Sequence, residues 1–283
     1  MSMTMKASDF VTNTALSAKA IFKMAVLSRP SSLKAETRKK PLVILANGPS
    51  LRNTLDEDRR KLAQTDLLAV NFAANTPVFS ELKPEYYVLV DPAFFADNPP
   101  ENIARLMANI ASADWLMTLI VPRERVEWMR TRMAANSKIS VRGINVTGIE
   151  GFPALEHWVF RQRLAMPRPR NVLIPSIMAA IWLGYRRIYL VGADHSWMQS
   201  IWVDDDNNVV SVQPHFYADD EKERQRVTSE YRGYHLHDIV HSFYVAFRSY
   251  HSIASFARAE GVEIVNSTPG SYIDAFPRRP LLE

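Results

Sequence analysis

The chain has 283 residues, 47% hydrophobic and 23% charged, a composition that excludes wholesale disorder and leaves room for one large core. Nine glycines and 17 prolines carry no collagen-like period, no repeat of solenoid length is present, and the absence of cysteine removes disulfides, thiolate metal sites and cysteine nucleophiles. A net charge of +4 without a dense basic run interleaved with aromatics gives no nucleic-acid groove, and a reducing compartment suits the composition.

In chain order, Ala7 to Leu27 places Phe10, Val11, Ala15, Ala18, Ile21, Phe22, Ala25 and Val26 at helical spacing with lysines off the apolar face. Lys19 and Lys23 interrupt the run, so no transmembrane helix is expected, and the pattern lacks a secretory cleavage site. Two readings stay open for residues 7–27: a helix packed on its own domain, or one making a peripheral membrane or partner contact, which would put a cytoplasmic protein at the inner membrane face or in an oligomer. Arg29 to Lys40 reads as a basic linker, giving a division into residues 1–40 and a main domain over 41–283.

Leu42 to Leu45 is a buried-strand run ending in Asn47-Gly48-Pro49-Ser50. Asp56 to Gln64 reads as a helix, Leu67 to Asn71 as a second strand, and Tyr86 to Val90 as a third that ends at Asp91. Ile174 to Leu183 reads as a helix, and Arg187 to Val191 as a strand ending at Gly192-Ala193-Asp194. Ser252 to Glu260 is helical, and Val262 to Val265 is a last strand before Asn266-Ser267-Thr268. Alternation of strands and helices predicts an α/β, Rossmann-like, doubly wound and mostly parallel sheet. In such a sheet ligands bind outside the carboxyl ends of the strands. Polar residues and glycines stand at five of those ends, where loop amides and helix starts favour a phosphate. Each alone is as readily a turn residue.

Two further stretches bear on chemistry. Trp197 to Arg232, rich in charge and aromatics between ordered elements, reads as an acceptor-side lid spanning about 197–233. Its Asp204-Asp205-Asp206 resembles a metal-binding Asp-x-Asp, yet the following Asn207-Asn208 makes a turn the better reading. Tyr231 to His241 gathers Tyr231, Arg232, Tyr234, His235, His237 and His241 before a helix. A histidine titrating near neutrality suits a general base, and a tyrosine or arginine suits stabilisation of a leaving phosphate. The same histidines read equally as a helix entry satisfied by its neighbours.

Asn47-Gly48-Pro49-Ser50-Leu51, Asn71 and Leu183-Gly184-Tyr185 through Gly192-x-Asp194 resemble the bacterial sialyltransferases of surface glycolipids and capsules. Lys83 to Pro92 is similar to a sister group, the motility accessory factor glycosyltransferases and archaeal 6-hydroxymethylpterin diphosphokinases. The motifs span residues 41 to about 276 and leave Ala93 to Arg170 and Trp197 to Gly233 unmatched. The resemblance implies a glycosyltransferase of surface polysaccharide or glycoconjugate synthesis, inverting, that joins a CMP-activated nonulosonate to a glycan acceptor with no required cofactor. It implies that Asn47, Gly48, Pro49, Ser50 and Asn71 hold the nucleotide, with Asp91, Asn171, Gly192, Asp194, Ser267 and Thr268 around it. It further implies Tyr234 on the phosphate and His237 as general base.

The chain departs from the sialyltransferase pattern at Asp91, which replaces an asparagine, and at Ser196 and Trp197, where a phosphate-stabilising tyrosine is absent. An aspartate at 91 suits Mg²⁺ held with phosphates, as in the diphosphokinases. A Mg-ATP-dependent diphosphokinase and a non-catalytic nucleotide-binding scaffold are therefore the alternatives.

Overall fold

A computed structural model describes residues 7–211 and 233–283. A seven-stranded parallel sheet forms its centre: β1 (Leu42–Leu45), β2 (Asp66–Val70), β3 (Tyr86–Val88), β4 (Met117–Pro122), β5 (Ile139–Ile144), β8 (Arg187–Val191) and β11 (Glu263–Asn266). Their order across the sheet is β11-β8-β1-β2-β3-β4-β5. The fold class is thus the Rossmann-like doubly wound one expected from the alternation. From β1 the chain builds outward to β5, then returns to the other side of β1, so β1 and β8 flank the point where winding reverses. Val43 pairs with Leu67 on one side and Tyr189 on the other.

Successive strand residues face opposite ways, and the two faces bury different helices. Leu42, Ile44, Leu68, Val88, Leu190 and Ile264 pack on one side. There they meet α7 (Pro153–Arg161), α8 (Leu173–Trp182) and α9 (Leu236–Ala259). Val43, Leu45, Leu67, Tyr189 and Val265 face the other side, against Leu51, Leu55 and Leu62 of α2 (Leu51–Glu57) and α3 (Arg59–Leu62). Farther along that side, Tyr87, Leu119 and Val121 meet α5 (Glu101–Ala111) and α6 (Val126–Met133), beyond the short α4 (Pro77–Leu82). Every residue of α8 is buried. Its Ser176 hydroxyl donates to Val172 O at 2.8 Å and Trp182 Nε1 to Phe160 O at 2.8 Å, so neither polar group is stranded. Two small pairings complete the strands: β6 (Gly148–Ile149) with β7 (Met166–Pro167), and β9 (Ile201–Val203) with β10 (Val209–Ser211).

The expected helix Asp56 to Gln64 starts at Leu51 instead and breaks at Asp58, whose backbone leaves the helical region between α2 and α3. The helix expected from Ser252 runs back to Leu236. Ala93 to Arg170, for which the sequence suggested no elements, holds α5, β4, α6, β5 and α7. β5 alternates buried and exposed residues from Ile139 to Gly143, as an edge strand with one solvated face does. Asp204 to Asn208 is a turn between β9 and β10, with Asp204 Oδ1 accepting from Asn208 N at 2.7 Å and Asp206 N at 3.1 Å. The remainder of the expected lid, with Tyr231 and Arg232, lies outside the described residues.

Helix α1 (Ala7–Leu27) occupies its expected span. Its narrow inner face is small: Ser17 and Ala20 are buried, Ser17 Oγ accepts Phe152 N at 3.0 Å, and a side chain on Gly151 would strike Ser17 Oγ at 2.5 Å. Lys23 Nζ reaches Gly148 O at 2.7 Å. The outer face leaves Phe10, Val11, Ile21, Phe22, Val26 and Leu27 exposed. With a mean hydropathy of 1.2 over 18 residues the helix is long and apolar enough, by length and composition, to cross a membrane. Lys19 and Lys23 do not bring it below that measure, which core helices of soluble proteins also pass.

Arg29 to Lys40 has no regular structure but is tied to the body. Ser32 N donates to Gly143 O at 2.8 Å and its hydroxyl accepts Gly143 N at 2.7 Å, while Glu36 N reaches Leu183 O at 3.1 Å. Leu33 is 1% exposed within the main core. Leu33→Ala should therefore lower the unfolding free energy by about 2–4 kcal/mol, read from a urea titration. A loss below about 0.5 kcal/mol would mean that the strap is not part of the folded core.

Candidate functional site

At the carboxyl ends of β1, β2, β3 and β8 lies a cleft of about 430 Å³. Asn47, Gly48, Pro49, Asn71, Asp91, Asn171, Gly192 and Asp194 line it, together with Arg170, His195 and Trp197. Eight of the residues proposed from the sequence thus meet where the winding reverses, as strand ends in an open sheet should.

The loop after β1 is organised differently from a phosphate cradle. Gly48 N donates to Gly192 O at 2.8 Å, Pro49 has no N–H, and Ser50 N donates to Asp194 Oδ1 at 3.3 Å. Ser50 Oγ donates to Asp194 Oδ2 at 2.8 Å. The Gly48 and Ser50 amides are spent within the protein. Gly48 is required for another reason: a Cβ there would sit 1.9 Å from Asp194 Oδ2 and 2.6 Å from Gly192 O. Burial pushes the Asp194 carboxyl up, and the Ser50 hydrogen bonds oppose that shift. Gly192 has φ +67°, and a side chain on it would meet Ala46 O and Leu51 Cβ at 2.8 Å. Asp194 and Ser50 therefore clamp the β1 and β8 loops together.

What faces the cleft is a set of side-chain amides. Asn71 takes a left-handed conformation, φ 50°, which asparagine tolerates. Tyr87 OH donates to Asn71 O at 2.6 Å and accepts Ala74 N at 2.8 Å, pinning that turn. Asn171 Oδ1 accepts Leu173 N at 3.0 Å, Ile174 N at 3.4 Å and Tyr250 OH at 2.9 Å. Those contacts fix its oxygen, cap the start of α8 and leave Nδ2 without a partner. Asn47 Oδ1, Asn71 Oδ1 and Asn171 Nδ2 are buried atoms with no hydrogen-bond partner. An unsatisfied buried polar group costs about 1–3 kcal/mol, and all three belong to residues that line the cleft.

Charge at the cleft comes from Arg170 and Asp91. Burial, then the neighbouring Arg168, lowers Arg170 from its usual value, yet a guanidinium stays charged. No ion pair to Arg170 is formed among the described residues. Asp91 Oδ1 accepts Ala93 N at 2.9 Å and caps the following 3-10 turn, Pro92–Phe95. It could supply one oxygen to Mg²⁺. Asp194, the other acidic side chain of the lining, is held by Ser50.

His195 was not among the residues singled out. It follows Asp194 with φ 52°, its ring 4.1 Å from Trp197 and 5.5 Å from Tyr250 between centroids. Its Nε2 lies 2.6 Å from Tyr250 OH. Enclosure pushes His195 down to about 3, and burial raises Tyr250 above its usual value, so both are neutral near pH 7. Since Tyr250 gives its proton to Asn171 Oδ1, it accepts from His195 Nε2–H. The relay is thus His195 to Tyr250 to Asn171, and it orients the Asn171 amide. A half-buried histidine depressed below its unfolded value near 6.5 binds fewer protons folded than unfolded. Stability is therefore full above about pH 6.5 and falls as acid approaches pH 3. His195→Asn keeps a residue that tolerates positive φ, and its melting temperature should fall less between pH 7 and pH 4 than the wild type's. Equal slopes would place the acid sensitivity elsewhere.

The remaining proposed residues stand apart from the cleft. Thr268 is a buried latch: its Oγ1 accepts Ala193 N at 3.0 Å and donates to Leu190 O at 3.3 Å. Ser267 N donates to Leu190 O at 2.9 Å, and its hydroxyl is buried without a partner. The structure does not bring Tyr234 or His237 to the lining. Tyr234 is exposed, and the His237 side chain is 79% exposed, 3.4 Å from Asp238 Oδ1 and stacked on His235. The sequence signal that could have found His195 was its place directly after Gly-x-Asp at a strand end.

No family model matches the chain, and no curated protein does. Among solved structures it is similar to the MAf glycosyltransferase from Magnetospirillum magneticum AMB-1, at 12% sequence identity and a TM-score of 0.50. The likeness covers 93% of this chain and 38% of that one. Nearly the whole chain therefore shares its fold with a segment of a larger protein.

Proposed function

We propose that the cleft binds a nucleotide-activated sugar and that the protein is a glycosyltransferase acting on a glycan acceptor, with a CMP-linked nonulosonate as donor and an inverting course. The observation that carries this reading is the convergence of three unpartnered buried amide atoms with Arg170 on one cleft. Donor and acceptor atoms suit the edges of a base and ribose, while the guanidinium suits the phosphate. The fold shared with a MAf glycosyltransferase supports the transferase class. Because the Gly48 and Ser50 amides and the first α8 amides are spent internally, the anion depends on a side chain. Arg170→Gln should weaken CMP binding about tenfold while leaving cytidine binding within twofold. Equal losses for both ligands would remove Arg170 from the phosphate.

The general test is a thermal-shift panel of CMP, CDP, UDP, GDP and ATP with and without Mg²⁺. Stabilisation by CMP without metal supports the glycosyltransferase. Stabilisation by ATP only with Mg²⁺, lost in Asp91→Asn, would replace it with the diphosphokinase reading favoured by the cleft-facing carboxylate. His237→Ala tests the proposed base: turnover unchanged by it would take His237 out of the reaction.

A further inference from the structure

Beside the cleft lies a second basin, about 500 Å³, between α9 and the C-terminal loop, with Met198, Tyr244, Arg248, His251, Tyr272 and Asp274 on its walls. We propose that it binds a saccharide. The acceptor role we give that saccharide rests on the glycosyltransferase reading above; the binding itself does not.

The basin pairs an aromatic bed with a polar rim. Tyr244 is 56% exposed and Tyr272 38%, with the Met198 thioether also open to solvent. Two phenol rings left this bare expose flat apolar faces edged by polar groups, which match the C–H faces of a pyranose ring. Both rings are held in place. Tyr272 OH accepts Gln199 Nε2 at 2.6 Å, and the Tyr244 ring lies along His241 at 6.1 Å and 28°. Around them, His251 Nε2 faces Asp274 Oδ1 at 3.1 Å, and Arg248 Nη1 is anchored to Glu150 Oε1 at 3.4 Å. A carboxylate and a guanidinium are planar two-point partners, suited to vicinal hydroxyls. A lipid or apolar peptide would cover these groups without pairing them, at a cost for each one buried. Apolar walls with few convergent polar groups, in this size range, are what small-ligand sites show.

Position supplies the second argument. Trp197 lines the cleft and Met198, its neighbour in the chain, lines the basin. Tyr272 N donates to Asp194 O at 2.9 Å, tying the basin wall to a cleft loop. Trp197 and Phe247, with ring centroids 6.2 Å apart, form the partition. A sugar in the basin therefore lies one side chain from the cleft.

The test uses the full-length labelled protein on an array of immobilised hexose, N-acetylhexosamine, deoxyhexose and uronic acid glycosides, followed by titration with the strongest binder. Tyr244→Ala and Tyr272→Ala should each raise its dissociation constant about fivefold to tenfold, Tyr272→Phe should restore most of that binding, and the CMP thermal shift should stay unchanged. Asp274→Asn should alter the ranking of sugars. An array without any bound glycoside, or binding in both alanine variants equal to that of the wild type, overturns the proposal. Tyrosine-dependent sugar binding in a protein that no nucleotide stabilises leaves the basin standing and removes the glycosyltransferase reading.

Discussion

Asn171→Asp is expected to weaken nucleotide binding by about 30- to 1000-fold, equivalent to roughly 2–4 kcal/mol, with little change in melting temperature. The substitution keeps the oxygen that caps α8 and receives Tyr250, so the local fold retains its hydrogen bonds. It removes the one donor that the amide holds free, Nδ2, and places a negative charge where an anionic ligand would sit. Isothermal titration with CMP measures the loss, and circular dichroism melting confirms that the variant is folded. Unchanged affinity in a folded variant would show that Nδ2 does not meet the ligand and would take the helix start out of the site.

Gly48→Val carries the second large effect, and the structure changes its sign from that expected of a phosphate loop. A branched side chain next to a ligand would spare the fold. Here the first carbon alone would stand 1.9 Å from the Asp194 carboxylate and 2.6 Å from Gly192 O. The clamp between Ser50 and Asp194 must open, burying an acid without its partners. A loss of about 2–4 kcal/mol in unfolding free energy is expected along with loss of nucleotide binding, read by urea denaturation and thermal shift. A variant that keeps its stability and loses only the nucleotide would return Gly48 to the phosphate role.

The central strands were legible because Leu42 to Leu45 and Ile188 to Val191 are unbroken apolar runs closed by turn residues, the signature of strands buried on both faces. The polar strand ends followed from them, and with them most of the cleft lining. What each residue does there was not legible. Gly48 and Thr268 look like ligand contacts in a motif, and only the approach of β1 to β8 and the latch onto Ala193 show that they hold loops together. The relay through His195 and Tyr250 joins residues 55 positions apart, and no local spacing reports it. Tyr234 and His237, implied by the resemblance, do not line the cleft, although Tyr234 acts electrostatically on Arg170 there.

The placement of β1 beside β8 has a consequence for when the protein becomes competent. The clamp that shapes the cleft joins Ser50 to a residue 144 positions later, and the relay that aims Asn171 waits for Tyr250 in α9. As the chain leaves the ribosome, β1 to β5 emerge first, while β1, an interior strand of the finished sheet, keeps one edge unpaired until residues 187–191 arrive. Contacts this distant slow folding and lengthen the exposure of that edge to other chains. On the proposed reading, an arrest series of nascent chains should acquire nucleotide binding in one step, after Tyr250 clears the exit tunnel.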